Sequence, residues 1–166
     1  VRHVPVVSNT SPLLNLSIIG RLDLVRQQFG PVLIPTAVRD ELQIDSGRPG
    51  SDALQEAIQD GWIDVQDVYE PAHVRTLQRT LDRGEAEAIA LAVSVDASRI
   101  LLDERAGRRH ARALDLFPTG AIGILLRAYN EGELPSLRSA LDALENEAGF
   151  WIAPSLRKRV LRASNQ

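Results

Sequence analysis

Polar and acidic side chains that could bind a cation occur at four places, each where a predicted strand ends or a predicted helix begins. They are Asn9, the pair Asp40 and Glu41, the pair Glu85 and Glu87, and the pair Asp103 and Glu104. Carboxylates that converge in one cleft repel each other, so some stay protonated unless a cation balances their charge. Hard divalent cations such as Mg²⁺ and Mn²⁺ prefer oxygen ligands and keep waters that can act as nucleophiles. The pattern indicates metal-assisted hydrolysis of a phosphodiester, although acids also begin helices for capping alone.

The first predicted strand and helix would position Asn9. Residues 4–7 are rich in valine and predict a buried strand, after which residues 8–10 turn the backbone. Ser11 is predicted to cap the following helix, and Pro12 to occupy its first position. Asn9 and Thr10 should therefore lie at the carboxyl end of an early, central strand, which is where ligands bind in open α/β sheets.

Two other predicted elements would bring acids to the same edge. A strand over residues 99–102 ends at Asp103 and Glu104, and strands of one parallel sheet end on one side. Glu85 begins a helix of small residues, where the helix dipole tolerates a carboxylate. Glu41 lies one turn beyond two apolar residues on its own helix, so its carboxylate should lie near the sheet.

The order of strands and helices predicts the fold class. Predicted strands alternate with predicted helices along most of the chain, which is typical of a central parallel sheet covered on both faces. At 166 residues and 18.2 kDa the chain suits one domain. We therefore expect a three-layer α/β/α sandwich formed by residues 1–166, in which residues 131–166 are a helical extension packed on the rest.

The composition limits the partners and the compartment. A formal net charge of −3 gives no general attraction to nucleic acid, so such binding needs a local basic patch. One candidate patch follows the fourth acidic position at helical spacing and comprises Arg105, Arg108, Arg109 and Arg112. These arginines would contact RNA phosphates or form a solvated helix face. The absence of cysteine fits a reducing compartment such as the cytoplasm, and no apolar run is long enough to cross a bilayer.

Aromatic residues are scarce and give no prediction of a base-stacking surface. They make up 4% of the chain, whereas a stacking surface needs several aromatic side chains together. Trp62, Phe150 and Trp151 are therefore predicted to be anchors in the core or in an interface.

Five stretches of the sequence together resemble a PIN domain. They occur in the expected order at residues 6–13, 33–42, 84–92, 100–104 and 107–111. The resemblance implies a metal-dependent ribonuclease built on a parallel sheet. Many prokaryotic members resemble VapC, the toxin of a toxin–antitoxin pair.

The resemblance also implies roles for individual residues. Glu41 matches the second acid of the family, Glu85 the third, and Asp103 or its neighbour Glu104 the fourth, with Thr10 and Ser11 as supporting residues. Glu85 is preferred to Glu87 because it shares a helix face with apolar residues that point at the sheet. At the first position the family usually has Asp, whereas this chain has Asn9, whether as a natural variant or as an introduced change. An amide offers one oxygen to a cation but no charge, and it cannot act as a base.

Three hypotheses follow about function. The first is a Mg²⁺- or Mn²⁺-dependent endoribonuclease that forms a homodimer and is held in check by a small antitoxin. The second is a weakened or inactive PIN-like module that binds RNA or protein, because Asn9 lacks the charge of an acid. The third is a receiver-like signalling domain, which needs paired acids early in the chain where only Asn9 is present.

Overall fold

A five-stranded, all-parallel sheet forms the centre of the protein in the computed structural model, which describes residues 4–164. The strands are β1 (Val6–Ser8), β2 (Val32–Pro35), β3 (Ile63–Gln66), β4 (Arg99–Leu101) and β5 (Phe117–Thr119). Their order across the sheet is β3-β2-β1-β4-β5, so β1 lies in the middle. The prediction of a central first strand is confirmed.

Helices cover both faces of this sheet. Those in the described part of the chain are α1 (Thr10–Ile18), α2 (Asp23–Phe29), α3 (Thr36–Leu42), α4 (Ser51–Gln59), α5 (Pro71–Leu77), α6 (Arg83–Ser94), α7 (Arg105–Ala113), α8 (Ala121–Asn130), α9 (Leu137–Asn146) and α10 (Pro154–Ala163). The predicted three-layer α/β/α sandwich is confirmed. No helix within residues 4–164 is long and apolar enough to span a membrane.

Helix α6 packs on the sheet against three strands, β1, β2 and β4. Its fully buried side chains include four alanines and Ile89. Small side chains let the helix backbone approach the strands, because they add little bulk between the two layers. As a result, the first turn of α6, which carries Glu85, lies close to the core.

The start of α1 differs from the sequence prediction. The helix begins at Thr10 with Asn9 in the capping position, and Ser11 is its second residue. The Ser11 hydroxyl donates a hydrogen bond to Asp103 at 2.8 Å, and its oxygen accepts one from the Asn15 side-chain amide at 3.0 Å. The predicted Ser11 cap is wrong because the helix begins one residue earlier, which places Ser11 inside the first turn. Pro12 still lies in the first turn, where a backbone N–H has no partner within the helix.

The last two helices pack on α8 and on each other. Helix α9 buries leucines along one face, and its first turn is capped by the Ser136 hydroxyl, which accepts a hydrogen bond from the backbone N–H of Ser139. Helix α10 is tied to α9 by Arg157, which forms ion pairs with Asp142 and Glu145. These contacts place the segment before α10 beside β5 and α8.

Candidate active site

Asn9 and Asp103 lie at the same edge of the sheet because β1 and β4 are neighbours. The two strands pair in parallel with Ser8 opposite Leu101, and the Asn9 backbone N–H donates to the Leu101 carbonyl oxygen at 2.9 Å. The Asn9 side chain is only 5% exposed. Its Oδ1 atom is buried and accepts no hydrogen bond from any of residues 4–164. A buried amide oxygen without a donor is uncommon and points to a missing partner at this edge.

Asp103 is held by donors from two other elements. The Ser11 hydroxyl donates to Oδ2 and the Ala121 backbone N–H donates to Oδ1, both at 2.8 Å. Burial raises the pKa of the Asp103 carboxyl, while the hydrogen bonds from Ala121 and Ser11 and the positive charge of Arg108 oppose that shift. Both carboxylate oxygens therefore already have protein donors.

The Glu85 carboxylate accepts fewer hydrogen bonds than the Asp103 carboxylate does. It is the third residue of α6 and forms a reciprocal capping box with Asp82, whose Oδ1 accepts the Glu85 backbone N–H at 2.8 Å. The Glu85 Oε2 atom accepts the Asp82 backbone N–H at 3.3 Å, but Oε1 is buried and has no hydrogen-bond partner among the described residues. Burial raises the pKa of Glu85 to about 7, and the negative charges of Asp82 and Glu104 add to the shift. The site therefore contains a carboxyl whose charge lacks compensation.

Glu87 has protein partners for its carboxylate. Its Oε2 accepts from Arg83 Nε at 2.8 Å, and its Oε1 accepts from the Ala37 backbone N–H at 3.3 Å. Of Glu85 and Glu87, Glu85 is therefore the residue with a carboxylate oxygen that lacks a hydrogen-bond partner among the described residues.

Glu41 is solvent-exposed, but its carboxylate turns back toward the start of α1. The Thr10 hydroxyl donates to Glu41 Oε2 at 2.5 Å. The same carboxylate lies against Gly84 in the first turn of α6, where an added Cβ would be 2.5 Å from Oε1. Glu41 thus contacts the residue after Asn9 and the residue before Glu85. Glu104 is exposed and acts on the site through its charge, which raises the pKa of Glu85.

Three glycines contact the acids, and the sequence interpretation did not single them out. A Cβ at Gly107 would lie 2.9 Å from Glu85 Oε1, and a Cβ at Gly120 would lie 2.5 Å from Asp103 Oδ1, as Gly84 does with Glu41. Gly107 lies inside α7, where glycine is unfavourable, and a glycine there is a sequence sign of close approach. Asp82 was also missed, although Asp-x-x-Glu at a helix start is the spacing of a capping box.

The four predicted RNA-binding arginines do not share one surface. Arg105, Arg108 and Arg112 line a groove next to Asp103, whereas Arg109 is exposed elsewhere on α7. Arg108 is half-buried and donates to the Leu102 carbonyl oxygen at 3.0 Å, so its position is fixed. Burial lowers the pKa of Arg108, and the nearby charge of Arg112 lowers it further.

The donor chemistry of this edge fits a hard divalent cation in part. Its available oxygens belong to carboxylates and one amide, the ligand types that Mg²⁺ and Mn²⁺ prefer, and two of them, on Asn9 and Glu85, are buried without donors. Within residues 4–164, however, no three histidine or acidic side chains are gathered closely enough to hold an ion. The arrangement therefore offers unpaired oxygens but not a complete carboxylate cluster.

The fold and this edge define an α/β protein with its candidate site at the carboxyl ends of parallel strands. A family model described as a PIN domain matches residues 5–166, so the chain belongs to the PIN-domain family. PIN domains are generally nucleases and usually use divalent metals. Comparisons with curated proteins and with solved structures gave no match. The family membership excludes the receiver-like hypothesis.

Proposed function

We propose that the protein is a divalent-metal-dependent endoribonuclease whose cation is held at the sheet edge by Asn9, Glu41, Glu85 and Asp103, with Glu104 beside them. The observation that carries the proposal is the pair of buried oxygens without donors, Asn9 Oδ1 and Glu85 Oε1. Such atoms are costly in a folded protein unless a partner satisfies them, and a cation bound at this edge is the partner that we propose for both. Membership of a family of nucleases supplies the reaction class.

The residues at this edge have different roles in the proposed reaction. A bound Mg²⁺ or Mn²⁺ supplies Lewis acidity and activates water for phosphodiester hydrolysis. Glu85 contributes a negative charge that the apo protein does not compensate, as its raised pKa of about 7 indicates. Asn9 contributes a neutral oxygen. Ser11 and the Ala121 N–H hold Asp103 in one orientation.

The competing proposal is a non-catalytic PIN-like module, and two observations favour it. Asn9 brings no charge, and both oxygens of Asp103 are already hydrogen-bonded within the protein. Either feature lowers the affinity for a cation, because affinity depends on the number of charged ligands that are free to bind.

A Mn²⁺ titration by calorimetry, paired with cleavage of single-stranded and structured RNA, separates the two proposals. We expect the chain as given to bind Mn²⁺ and to cleave, Asn9→Asp to bind about tenfold more tightly, and Glu85→Gln to lose more than about a hundredfold in cleavage. The Glu85→Gln, Asp103→Asn double variant should lose cleavage while remaining folded. Glu87→Gln is the matched control and should behave like the parent, because Glu87 is paired with Arg83. If neither the parent nor Asn9→Asp binds Mn²⁺ or cleaves RNA, the nuclease proposal is wrong.

We further propose that the protein is a cytoplasmic toxin that forms a homodimer and is restrained by a small antitoxin, with residues 1–166 acting as one domain. The support is the resemblance to VapC-like PIN domains, together with the packing of α9 and α10 on α8. Induced expression should arrest growth with the parent chain but not with the Glu85→Gln variant. Sedimentation of the purified protein tests the homodimer.

A further inference from the structure

A groove with a volume of about 670 Å³ has Asp103 in its lining, whereas Glu41, Glu85 and Glu104 do not line it. It lies between α7, the β5–α8 connection and the segment that leads into α10. Arg105, Arg108 and Arg112, all on α7, form one wall of the groove, and most of the remaining lining is apolar and includes Trp151. A lining that combines three arginines, apolar side chains and Asp103 distinguishes this groove from four other cavities of the protein.

Two aromatic side chains on this groove are exposed although their neighbours are buried. Trp151 is 79% exposed and Phe117 is 62% exposed. Of the three residues predicted to be core or interface anchors, Trp62 is buried, Phe150 packs partly against the core, and Trp151 lies outside the core. Trp151 lies in the connection between α9 and α10, where its neighbour Ile152 takes the buried position.

The Phe117 ring is held in place by a cation. The Arg99 guanidinium lies 4.7 Å from the centroid of the ring, and Arg99 Nη1 donates to the Thr119 hydroxyl at 2.6 Å. This arrangement fixes the ring on edge strand β5. The groove therefore presents one aromatic side chain held by the fold and a second, Trp151, that is largely free of protein contacts.

The combination of charge and aromatic surface selects the occupant. The chain as a whole has a net charge of −3, so the three arginines on one wall form a local positive region that attracts phosphate. Single-stranded nucleic acid is bound by grooves that combine a basic track for the backbone with aromatic side chains for the bases. A duplex keeps its bases stacked inside and cannot offer them to Trp151. An unpaired strand uses both parts of this lining, whereas an acidic peptide would use mainly the arginines.

We propose that this groove is a nucleobase subsite for single-stranded RNA. A base stacks on Trp151, the adjoining phosphates contact Arg105 and Arg112, and the next phosphodiester is thereby held at the acids beside Asp103. Arg108 keeps its bond to Leu102 and shapes the wall. The inference rests on the proposed nuclease function for the identity of the ligand. It adds to that function a subsite for one unpaired nucleobase beside Asp103 and names Trp151 as the residue that binds the base.

The test measures binding in EDTA, so that neither a metal nor cleavage is needed. The probe is a fluorescein-labelled oligouridine of about ten nucleotides, and the comparison strand is an abasic oligomer with the same backbone. We expect Trp151→Ala to weaken binding of oligouridine by about fivefold to a hundredfold and to leave binding of the abasic strand unchanged. Trp151→Phe should retain most of the affinity. Arg112→Ala should weaken both strands equally, because phosphate contacts do not depend on the base.

Two matched controls lie outside the groove. Tyr69 is 84% exposed but follows β3 at the opposite end of the sheet, so Tyr69→Ala should leave both affinities unchanged. Arg109 is on the same helix as Arg112 but does not line the groove, so Arg109→Ala should have a smaller effect than Arg112→Ala. An effect of Tyr69→Ala as large as that of Trp151→Ala would overturn the proposal.

Other outcomes also decide the question. The proposal is wrong if Trp151→Ala leaves oligouridine binding unchanged or weakens the abasic strand equally. It is also wrong if an oligoglutamate peptide binds in place of RNA with the same dependence on Trp151. If Trp151→Ala turns a dimer into a monomer in sedimentation while its RNA affinity is retained, the groove binds a second copy of the chain and the proposal is wrong.

The same variants keep this proposal separate from the nuclease proposal. Mn²⁺ binding by Trp151→Ala should equal that of the parent, because neither Asn9 nor Glu85 lines the groove. Base-dependent binding without Mn²⁺ binding or cleavage would support the subsite and contradict the nuclease proposal. Cleavage that does not depend on Trp151 would support the nuclease proposal and contradict the subsite.

Discussion

Asp103 is partly buried and Glu85 is buried at the same edge of the sheet, but the protein surrounds the two acids differently. Asp103 accepts hydrogen bonds from Ser11 and Ala121, both at 2.8 Å. Glu85 accepts one longer bond, from the Asp82 N–H at 3.3 Å, and its Oε1 has no donor among the described residues. Burial raises the pKa of each carboxyl, but only Asp103 also has a nearby positive charge, that of Arg108, to oppose the shift.

The difference indicates two separate tasks for the two acids. A carboxylate with donors on both oxygens is fixed by the fold and contributes to its stability. A buried carboxylate with an unpaired oxygen and negative neighbours costs stability, and it is retained where a ligand supplies the missing charge. We therefore interpret Asp103 as an anchored acid that joins α1 to α8, and Glu85 as the acid that most needs a cation.

Truncating each acid in metal-free protein should give the largest contrast. Asp103→Ala leaves the Ala121 N–H and the Ser11 hydroxyl without their acceptor, so we expect the free energy of unfolding to fall by about 2–4 kcal/mol. Glu85→Ala loses one long hydrogen bond but also removes an uncompensated charge, so we expect a change below about 1 kcal/mol. Urea denaturation in EDTA at pH 8 measures both. Equal losses would mean that the two acids have the same structural role.

The pH dependence of stability tests the uncompensated charge directly. The pKa of Glu85 is raised from its ordinary 4.5 to about 7, so between these values the folded protein binds more protons than the unfolded chain. The stabilisation is complete below pH 4.5 and is lost as the pH rises through 7, by about 1–3 kcal/mol in total. Denaturation in EDTA from pH 5 to pH 8 should show this decline.

The decline should be much smaller in Glu85→Gln, where the residual slope comes from Asp103, whose pKa is also raised. Glu87→Gln is the control and should keep the full slope, because Glu87 is paired with Arg83. A slope that survives Glu85→Gln undiminished would show that Glu85 is already compensated in the apo protein.

Adding a methyl group beside Glu85 tests how tightly its unpaired oxygen is enclosed. An alanine Cβ at Gly107 would lie 2.9 Å from Glu85 Oε1 and 3.0 Å from a buried methyl group of Leu102. Overpacking should outweigh the gain in helix propensity, so we expect Gly107→Ala to destabilise by about 1 kcal/mol. Gly123 in α8 is the matched control, because its nearest neighbour would be 3.6 Å away, and Gly123→Ala should stabilise by up to about 1 kcal/mol. Thermal unfolding measures the stability of both variants. A neutral effect of Gly107→Ala would show that Glu85 Oε1 is not tightly enclosed.

The parallel sheet and the position of Asn9 at its edge could be predicted from the sequence. Alternation of strands and helices predicts a parallel sheet, and a valine-rich strand at the start predicts a buried central position, both of which the structure has. These features depend on periodicity and burial, which local sequence encodes. The proximity of Asn9 and Asp103 follows from strand pairing once the sheet is known.

The partners of each side chain could not be predicted in the same way. Ser11 has the residue type and position of a helix cap, yet its hydroxyl bonds to an acid 92 residues away. Trp151 has the residue type of a core anchor, yet Ile152 takes the buried position beside it. Such choices depend on contacts between distant segments, which residue type and spacing do not specify.

The two neighbouring hydroxyls that bond to site acids should differ in how much their removal costs. Ser11 donates to partly buried Asp103, whereas Thr10 donates to exposed Glu41. A hydrogen bond to a buried charge is worth more than one that water can replace, so we expect Ser11→Ala to cost about 1–2 kcal/mol and Thr10→Ala less than about 0.5 kcal/mol. Urea denaturation in EDTA at pH 8 compares them. If Thr10→Ala cost as much as Ser11→Ala, Glu41 would be as firmly anchored as Asp103. The unpaired oxygen of Glu85 would then set it apart from both of the other acids.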